Sequence, residues 1–225
     1  MAQTTSELWK TLFSMRNTVR EYKFEINGVT YGPDSEVEHS VDSGLYENFG
    51  VGNAFNATLK LSLFTEDVAK GATIKRYVRL KNDSQVSEWI PKGIFFVNHR
   101  KFDAGYWDIE AYDAMLKAEQ VFLSEGDVGG WPRPMPTVVQ EICSRMGVDL
   151  DSRTTLNQSY MVEYPNDYTM REILGHIAAA HGGNWIVTDS GDLYLIPLVS
   201  IPDETNLLVT EHGDEITFGG VRILV

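Results

Sequence analysis

Two histidines and a single cysteine are the residues of this chain best suited to a metal or nucleophilic site. His176 and His181 are five positions apart, roughly 140° around a helix, whereas a helical metal-binding pair needs a spacing of four to share one face. His181 falls in the last turn of its predicted helix, where an imidazole suits the free carbonyl groups, so we predict capping or packing rather than metal binding. Cys143 is in step with Val139 and Met146 on an apolar helix face, where a reactive thiolate is disfavoured, so we predict a buried core thiol.

Two pairs of acidic residues have the spacing that could support general acid and base catalysis. Glu36 and Glu38 form one pair, and Asp108 and Glu110 form the other; a spacing of two puts each pair on one face of a strand. A glycosidase uses such a pair of carboxylates. Nothing else in the sequence supports that chemistry, so we predict that these strands face solvent or a channel.

Two loops superficially resemble ligand-binding motifs. Asp189-Ser-Gly-Asp192 lacks the further carboxylates and the closing glutamate of a calcium loop, and a hairpin turn accounts for it. Gly50-Val-Gly-Asn53 lacks a third glycine and precedes a strand rather than a helix, so it does not fit a phosphate loop. We therefore predict no enzyme and no catalytic, cofactor-binding or metal-binding residues.

The charge and apolar content of the chain limit the kinds of partner that it is expected to bind. The 225 residues carry 32 acidic and 19 basic side chains, a net charge of −13, and no apolar run approaches the roughly 18 residues of a membrane span. Residues 131–225 contain 13 acids and only five bases, all of them arginine. A protein that grips DNA phosphates needs clustered lysine and arginine, so we predict no sequence-specific nucleic-acid binding and no membrane partner.

The apolar periodicity divides the chain into an N-terminal helix, a strand-rich domain and a smaller lobe. Residues 1–20 are predicted as an amphipathic helix, which begins after Ser6 and carries one apolar stripe. From 21 to 125 the period falls to two, which predicts an antiparallel β-barrel or sandwich. The stripe consists of Leu8, Leu12, Met15 and Val19, and the predicted strands are Tyr22–Ile26, Val29–Tyr31, Ala54–Phe64, Thr73–Leu80, Gly93–Phe102 and Tyr106–Tyr112.

Local signals predict the turns of the strand-rich domain. Asn27-Gly28 suits a type I′ hairpin, and Asp103-Ala104-Gly105 suits a three-residue hairpin loop. Pro91 is expected to interrupt a strand. Asp113 is predicted to cap a short helix that ends near Val121.

A glycine- and proline-rich segment, 126–136, predicts a domain boundary, and a small α+β lobe is expected over 131–200. Thr137 with Gln140 and Thr169 with Glu172 fit capping boxes about 32 residues apart, each opening a helix. These helices are expected near 137–146 and 169–181, and a hairpin is expected to join 184–188 to 192–197. Residues 201–225 are predicted as strands that return to the barrel or begin a second one, in a chain that is a fragment of a longer protein.

Three segments resemble the phage tail baseplate-hub family. Ser43–Leu63 resembles the opening barrel of these proteins, as does Pro91–Val97 followed by Gly105–Leu116, and Tyr168–Leu195 is similar to their helix-then-hairpin insert. The resemblance covers roughly residues 21–200. It implies a structural protein of a prophage tail, the N-terminal part of a hub ring that joins the tail tube to the tail tip around a DNA channel.

The resemblance also implies partners and a location. Hub proteins of this family are typically trimers that contact tail-tube, distal-tail and tail-tip proteins, so the chain is expected in the virion tail after synthesis in the host cytoplasm. Two alternatives stay open. One is a carbohydrate- or receptor-binding module at the tail tip, with Trp107 and Trp131 among its contacts; the less favoured one is a tail-associated peptidoglycan hydrolase that uses an acidic pair.

Overall fold

The computed structural model describes residues 5–44, 50–83, 85–123 and 130–198, and the backbone alone at 36–37, 217–218 and 221–222. Within these ranges a large antiparallel sheet is followed by a lobe of two helices and short strands. The predicted α+β class is confirmed. No helix in the described part of the chain is long and apolar enough to cross a membrane.

The N-terminal helix is shorter than its apolar pattern predicts. Helix α1 spans Glu7–Ser14, and the Ser6 side chain caps it by accepting the Trp9 N–H at 3.1 Å, as expected. The chain then leaves the helix at Met15 and enters strand β1 at Val19, so the predicted end at residue 20 is wrong. The β-branched residue Val19 instead pairs with Lys81 of the sheet, a long-range contact that outweighs a weak local helical preference.

Eight strands form the main sheet, in the order β2–β1–β5–β7–β8–β4–β3, with β6 pairing to β5. All of their pairings are antiparallel. In the described residues the two end strands, β2 and β3, are not hydrogen-bonded to each other, so the sheet is open and sandwich-like rather than a closed barrel. The strands are β1 (Val19–Ile26), β2 (Val29–Tyr31), β3 (Glu36–Asp42), β4 (Thr58–Leu63), β5 (Thr73–Asn82), β6 (Gln85–Val86), β7 (Ile90–Asp103) and β8 (Tyr106–Tyr112).

The sheet curls enough for side chains of its two ends to meet. The ring centroid of His39 on β3 lies 4.3 Å from that of Tyr22 and 5.3 Å from that of Phe24, both on β1. The inner face of this curl is an apolar core built from alternate residues of each strand. Its buried members include Leu59, Leu61, Leu63, Ile74, Phe95, Val97, Ile109 and Ala111.

Both predicted hairpin turns of the sheet form, one of them with a shorter loop than expected. Asn27 and Gly28 both have positive φ, 49° and 88°, which confirms the turn expected from that dipeptide. The second hairpin is tighter than predicted, because Asp103 still pairs with Tyr106 and only Ala104 and Gly105 form the loop.

Pro91 does not interrupt its strand. Strand β7 runs through it, and Pro91 pairs with Tyr77 beside a register shift in the β5–β7 pairing. Gly93, at φ 119°, lies within this irregularity. A proline is tolerated at such a bulge because the regular ladder of N–H donors is already disrupted there.

The predicted strand Ala54–Phe64 divides into two pieces with different partners. Its second piece is β4, whereas Ala54 and Phe55 instead meet Trp185 of the lobe, with the Phe55 N–H bonded to the Trp185 carbonyl at 2.9 Å. Beyond β8, Asp113 caps a 3-10 helix, Ala114–Glu119, by accepting the Met115 N–H at 2.9 Å. The predicted cap is confirmed.

The lobe contains the two predicted helices. Helix α3, Met170–Ala180, begins with the predicted capping box between Thr169 and Glu172. Helix α2, Met135–Met146, begins three residues before the position that a box at Thr137 requires, and its N-cap Pro134 makes no side-chain cap bond. Prolines suit the first turn because they lack an N–H that would stay unpaired there, so the first capping box is wrong.

Short strands complete the lobe. Strands β9 (Arg133–Pro134) and β10 (Met161–Val162) pair with each other, and β11 (Gly183–Val187) forms the predicted hairpin with β12 (Leu193–Pro197). Near the C-terminus β13 (Thr217–Phe218) pairs with β14 (Val221–Arg222). The rest of 201–225, where further strands are predicted, lies outside the described residues.

The core of the lobe extends across the predicted domain boundary. Ala114, Met115 and Phe122, which precede that boundary, pack in one buried cluster with α2, α3 and β11. Residues 124–129 lie outside the described part of the chain, so the boundary at 126–136 stays a prediction. The cluster also contains Val138, Val139, Ile142, Cys143, Met146, Ile173, Leu174, Ile177 and Trp185.

Candidate functional site

The acidic pair on β8 lies in a polar groove on the outer face of the sheet. Asp108 and Glu110 lie in register with Ser62 and Lys60 of β4, and together with His99 they help to line a groove of about 470 Å³. The Ser62 hydroxyl donates to an Asp108 carboxylate oxygen at 2.6 Å, and the Tyr112 hydroxyl donates to Glu110. That bond raises the pKa of the Tyr112 phenol, because the carboxylate holds its proton.

This polar groove carries charges of both signs. Its lining includes the acids Glu38, Asp108 and Glu110 and the bases Lys60 and Lys101. The groove is therefore weakly acidic, and other exposed acids, such as Glu163, lie on the lobe. The other predicted acidic pair is described only at Glu38, because the structure describes the backbone alone at Glu36.

The two histidines of the lobe have separate structural contacts. His181 is the C-cap of α3, where its Nδ1 lies 2.8 Å from the Ile177 carbonyl and its Nε2 lies 3.0 Å from the Asn157 backbone nitrogen. With Nδ1 as donor and Nε2 as acceptor, the ring joins the helix end to the following loop. The His176 ring instead packs against Tyr168, with centroids 5.3 Å apart. In the residues the structure describes, no three ligand-type side chains converge as a metal site.

Cys143 and the two glycine-containing loops have structural positions. Cys143 is buried in the lobe core, and burial raises the pKa of its thiol to about 11. In the loop at 50–53, which does not fit a phosphate site, the Asn53 N–H donates to the Asn184 side chain at 2.9 Å and so fixes the loop to β11. In the hairpin turn, the Ser190 hydroxyl donates to Asp192 at 2.7 Å.

A second groove, which the sequence did not reveal, lies on the lobe between β10 and α3. We call it the tyrosine groove; its volume is about 300 Å³, and Tyr164 and Tyr168 are 40% and 45% exposed. The signal available in the sequence was the run of three tyrosines spaced four apart, Tyr160, Tyr164 and Tyr168, although no helix forms over these positions. The lining residues are Met135, Met161, Val162, Glu163, Tyr164, Pro165, Tyr168, Ile173, His176 and Ile177.

The two tryptophans suggested as sugar contacts lie on different elements. Trp107 is on β8, where its ring packs against Phe102 at 5.3 Å and against the Arg100 guanidinium at 5.0 Å. Trp131 is in the lobe, between Phe122 at 6.1 Å and Tyr164 at 6.3 Å. The structure therefore packs each ring into a local aromatic cluster of its own.

A third surface surrounds the end of α1. Only Leu12 of the predicted apolar stripe is buried, whereas Met15 and Val19 are 40% and 62% exposed. The neighbouring side chain of Phe13 is 64% exposed. Arg16 and Arg20 are exposed as well, and Arg20 faces the opposite side of β1 from Val19.

Comparison with known proteins identifies the fold of the chain. No protein-family model and no curated protein matches it. It is similar to the 43 kDa tail protein of prophage MuSo2 from Shewanella oneidensis, with a TM-score of 0.55 and 11% identity over 85% of this chain and 59% of that one. It is also similar to a tail protein from Neisseria meningitidis MC58, with a TM-score of 0.53 and 11% identity over 84% of this chain and 57% of that one. The chain thus spans less than three-fifths of either protein, and most of it shares the fold of these two tail proteins.

Proposed function

We propose that this chain is a structural component of a phage or prophage tail, as the N-terminal part of a hub that joins the tail tube to the tail tip. The fold similarity carries the proposal, because it extends over both the sheet and the lobe and involves two tail proteins. In this proposal the chain works as a trimer in the virion tail, contacts tube, distal-tail and tail-tip proteins, and is made in the host cytoplasm.

A structural, non-enzymatic role agrees with the contacts of the polar side chains. The carboxylates of Asp108 and Glu110 accept bonds from neighbouring hydroxyls, and His181 bonds to backbone groups at both ring nitrogens. The Cys143 thiol is buried. These groups stabilise strands and helix ends, and a hub needs such a rigid framework with surfaces for its neighbours.

The charge of the chain supports a channel that DNA passes without being held. At −13 the protein repels phosphates at long range, and the polar groove offers lysines only alongside acids. A wall of this kind offers no run of cations that could replace the counterions of a duplex.

Epitope tagging of the gene, followed by purification of tails from the strain that encodes it, tests this proposal. The tagged chain is expected in purified tails and, by gold labelling, at one end of the tail. Deletion of the gene is expected to give particles that lack their distal structure, and a plasmid copy is expected to restore it. A chain that is expressed in the host but absent from assembled particles would contradict the proposal.

A further inference from the structure

We propose that the tyrosine groove binds the side chain of a lysine or arginine carried by a partner protein. The groove lies on the lobe, apart from the polar groove of the sheet, and this binding would not depend on the role of the chain in a tail. Apolar walls, exposed tyrosine rings and a carboxylate meet in the groove, and together they fit a cation on an apolar stem.

The walls of the groove suit the stem of a basic side chain. Val162 of β10 and Ile173 and Ile177 of α3 line it, and its volume is about 300 Å³. Lysine and arginine bury their methylene groups along apolar surfaces of this kind while the charged end stays at water or at an anion. The groove therefore has room for one such side chain.

Two tyrosines supply ring surface for the charged end. Tyr164 and Tyr168 line the groove and are 40% and 45% exposed. Each ring has an aromatic neighbour that braces it: the ring centroid of Trp131 lies 6.3 Å from that of Tyr164, and the centroid of His176 lies 5.3 Å from that of Tyr168. The electron-rich face of tyrosine attracts ammonium and guanidinium groups. Rings that are already braced lose little side-chain entropy on binding, which favours the contact.

The aromatic cluster beside the groove already holds a cation of this chain. The guanidinium carbon of Arg133 lies 4.4 Å from the ring centroid of Trp131, the same ring that packs against Tyr164. An Nη1 of Arg133 also lies 3.5 Å from a carboxylate oxygen of Glu141, which balances its charge. In the described part of the chain no lysine or arginine lines the tyrosine groove itself, so this second aromatic surface has no cation of its own.

Charge favours a cationic occupant over a neutral or anionic one. Glu163 lines the groove, is exposed and makes no ion pair within the described residues. The whole chain carries a net charge of −13, so its field attracts cations and repels anions. A carboxylate adds a charge-assisted hydrogen bond to the contact between cation and ring. A free metal ion would gain nothing from the apolar walls, whereas a basic side chain uses the walls, the rings and the carboxylate together.

NMR titration of the purified chain with matched peptides tests this binding. The probes are acetylated tripeptide amides with lysine or arginine between two glycines, and their neutral counterparts contain norleucine or citrulline instead. The two basic peptides are expected to shift the signals of groove residues, with a Kd of about 1 to 10 mM at low salt. Each neutral counterpart is expected to bind at least about threefold more weakly.

Substitutions separate the contribution of the charge from that of the ring. Glu163→Gln and Tyr164→Leu are each expected to weaken binding of the lysine peptide at least about threefold, and Glu163→Gln also reduces its salt dependence. Tyr160→Leu is the matched control: Tyr160 is 41% exposed, precedes Tyr164 by four positions and does not line the groove, so binding is expected to stay unchanged. The amide spectrum of each variant shows whether it is folded.

Equal affinity for the lysine and norleucine peptides would overturn the proposal, because the groove would then be a general apolar site. The absence of shifts with either basic peptide up to about 20 mM would also overturn it, as would folded Glu163→Gln and Tyr164→Leu variants that bind like the wild type. A cell-wall disaccharide that binds in the groove while the basic peptides do not would make it a saccharide site instead. None of these results decides whether the chain is in tails, which tagging measures separately.

Discussion

The Asp113 carboxylate accepts a hydrogen bond from the backbone N–H of Ala57 at 2.8 Å, across 56 positions of sequence. Its other oxygen accepts the Met115 N–H at 2.9 Å and so caps the 3-10 helix that follows β8. One side chain therefore fixes the chain entering β4 and the chain leaving β8. This junction carries the segment that packs into the core of the lobe.

Acidification is expected to strengthen the contribution of Asp113 to stability. Burial raises the pKa of this carboxyl from 3.8 to about 6, so the native state binds the proton more tightly than the unfolded state. The contribution of Asp113 is therefore largest at low pH, falls as the pH rises from about 4 to about 6, and is constant above that. Urea unfolding of the wild type and of Asp113→Asn, compared at several pH values, measures it. If acidification lowered the free energy of unfolding of the wild type relative to that of Asp113→Asn, the expectation would be contradicted.

The two predicted capping boxes give a matched pair of substitutions. Thr169→Ala removes a side chain that accepts the Glu172 N–H at 3.1 Å, and is expected to lower the free energy of unfolding by about 1 kcal/mol. Thr137→Ala changes an exposed residue inside the first turn of α2 and is expected to have little effect or to stabilise slightly, because alanine is the better helix former. Equal effects of the two substitutions on thermal unfolding would contradict the finding that Thr169 caps its helix and Thr137 does not.

The contrast between these threonines shows which signals in the sequence were sufficient. Asn27-Gly28 and the Thr169 box act within four residues, and both form as predicted. The box at Thr137 has equally good local residues, but prolines at 134 and 136 start the helix earlier. Where two local signals compete, the one that restricts the backbone covalently prevails.

Long-range pairing explains the remaining differences from expectation. Val19 continues an apolar helical stripe in the sequence, yet it pairs with Lys81 of β5 and so belongs to strand β1. Pro91 remains inside a strand because a bulge between β5 and β7 removes the regular need for its N–H. The tyrosine groove depends on β10 and α3 meeting in space, and the spacing of four between Tyr160, Tyr164 and Tyr168 does not encode that meeting.

Substitution of Gly175 by alanine is expected to disturb the contact between α3 and the loop at 50–56. A Cβ at this position would lie 2.8 Å from the Gly52 carbonyl oxygen, a backbone atom that moves only with its loop. We expect a loss of about 1 to 3 kcal/mol despite the better helix propensity of alanine. Gly32→Ala is the control, because a Cβ there meets nothing within 4 Å. Equal thermal midpoints for the two variants would exclude a tight contact at Gly175.

Cys143 is expected to be chemically silent in the folded protein. Its thiol is buried and has a pKa raised to about 11, so it is protonated and inaccessible at neutral pH. Labelling by an aromatic disulfide reagent should be slow in the native state and fast in urea, and Cys143→Ala should lower stability by about 1 kcal/mol while leaving the secondary structure unchanged by circular dichroism. Rapid labelling of the native chain, or stoichiometric zinc, would contradict a structural role.

Duplex DNA is expected not to bind the isolated chain, even at about 20 mM salt. Low salt is the most demanding condition, because a protein that neutralises phosphates gains most from counterion release when little salt is present. Several basic side chains of the sheet lie beside acids: Lys60 and Lys101 share the polar groove with three acids, and Arg79 and Lys81 on β5 both pair with Glu21.

Fluorescence anisotropy of a labelled duplex measures this expectation directly. A lysine-rich variant of the polar groove, Glu38→Lys with Asp108→Lys and Glu110→Lys, is the informative comparison, because it converts the same surface into a run of cations. The variant is expected to bind the duplex with a steep dependence on salt, whereas the wild type is expected not to bind it. Tight, salt-sensitive binding by the wild type would mean that the protein holds DNA, and a wall that holds DNA is unsuited to a channel that the genome must traverse.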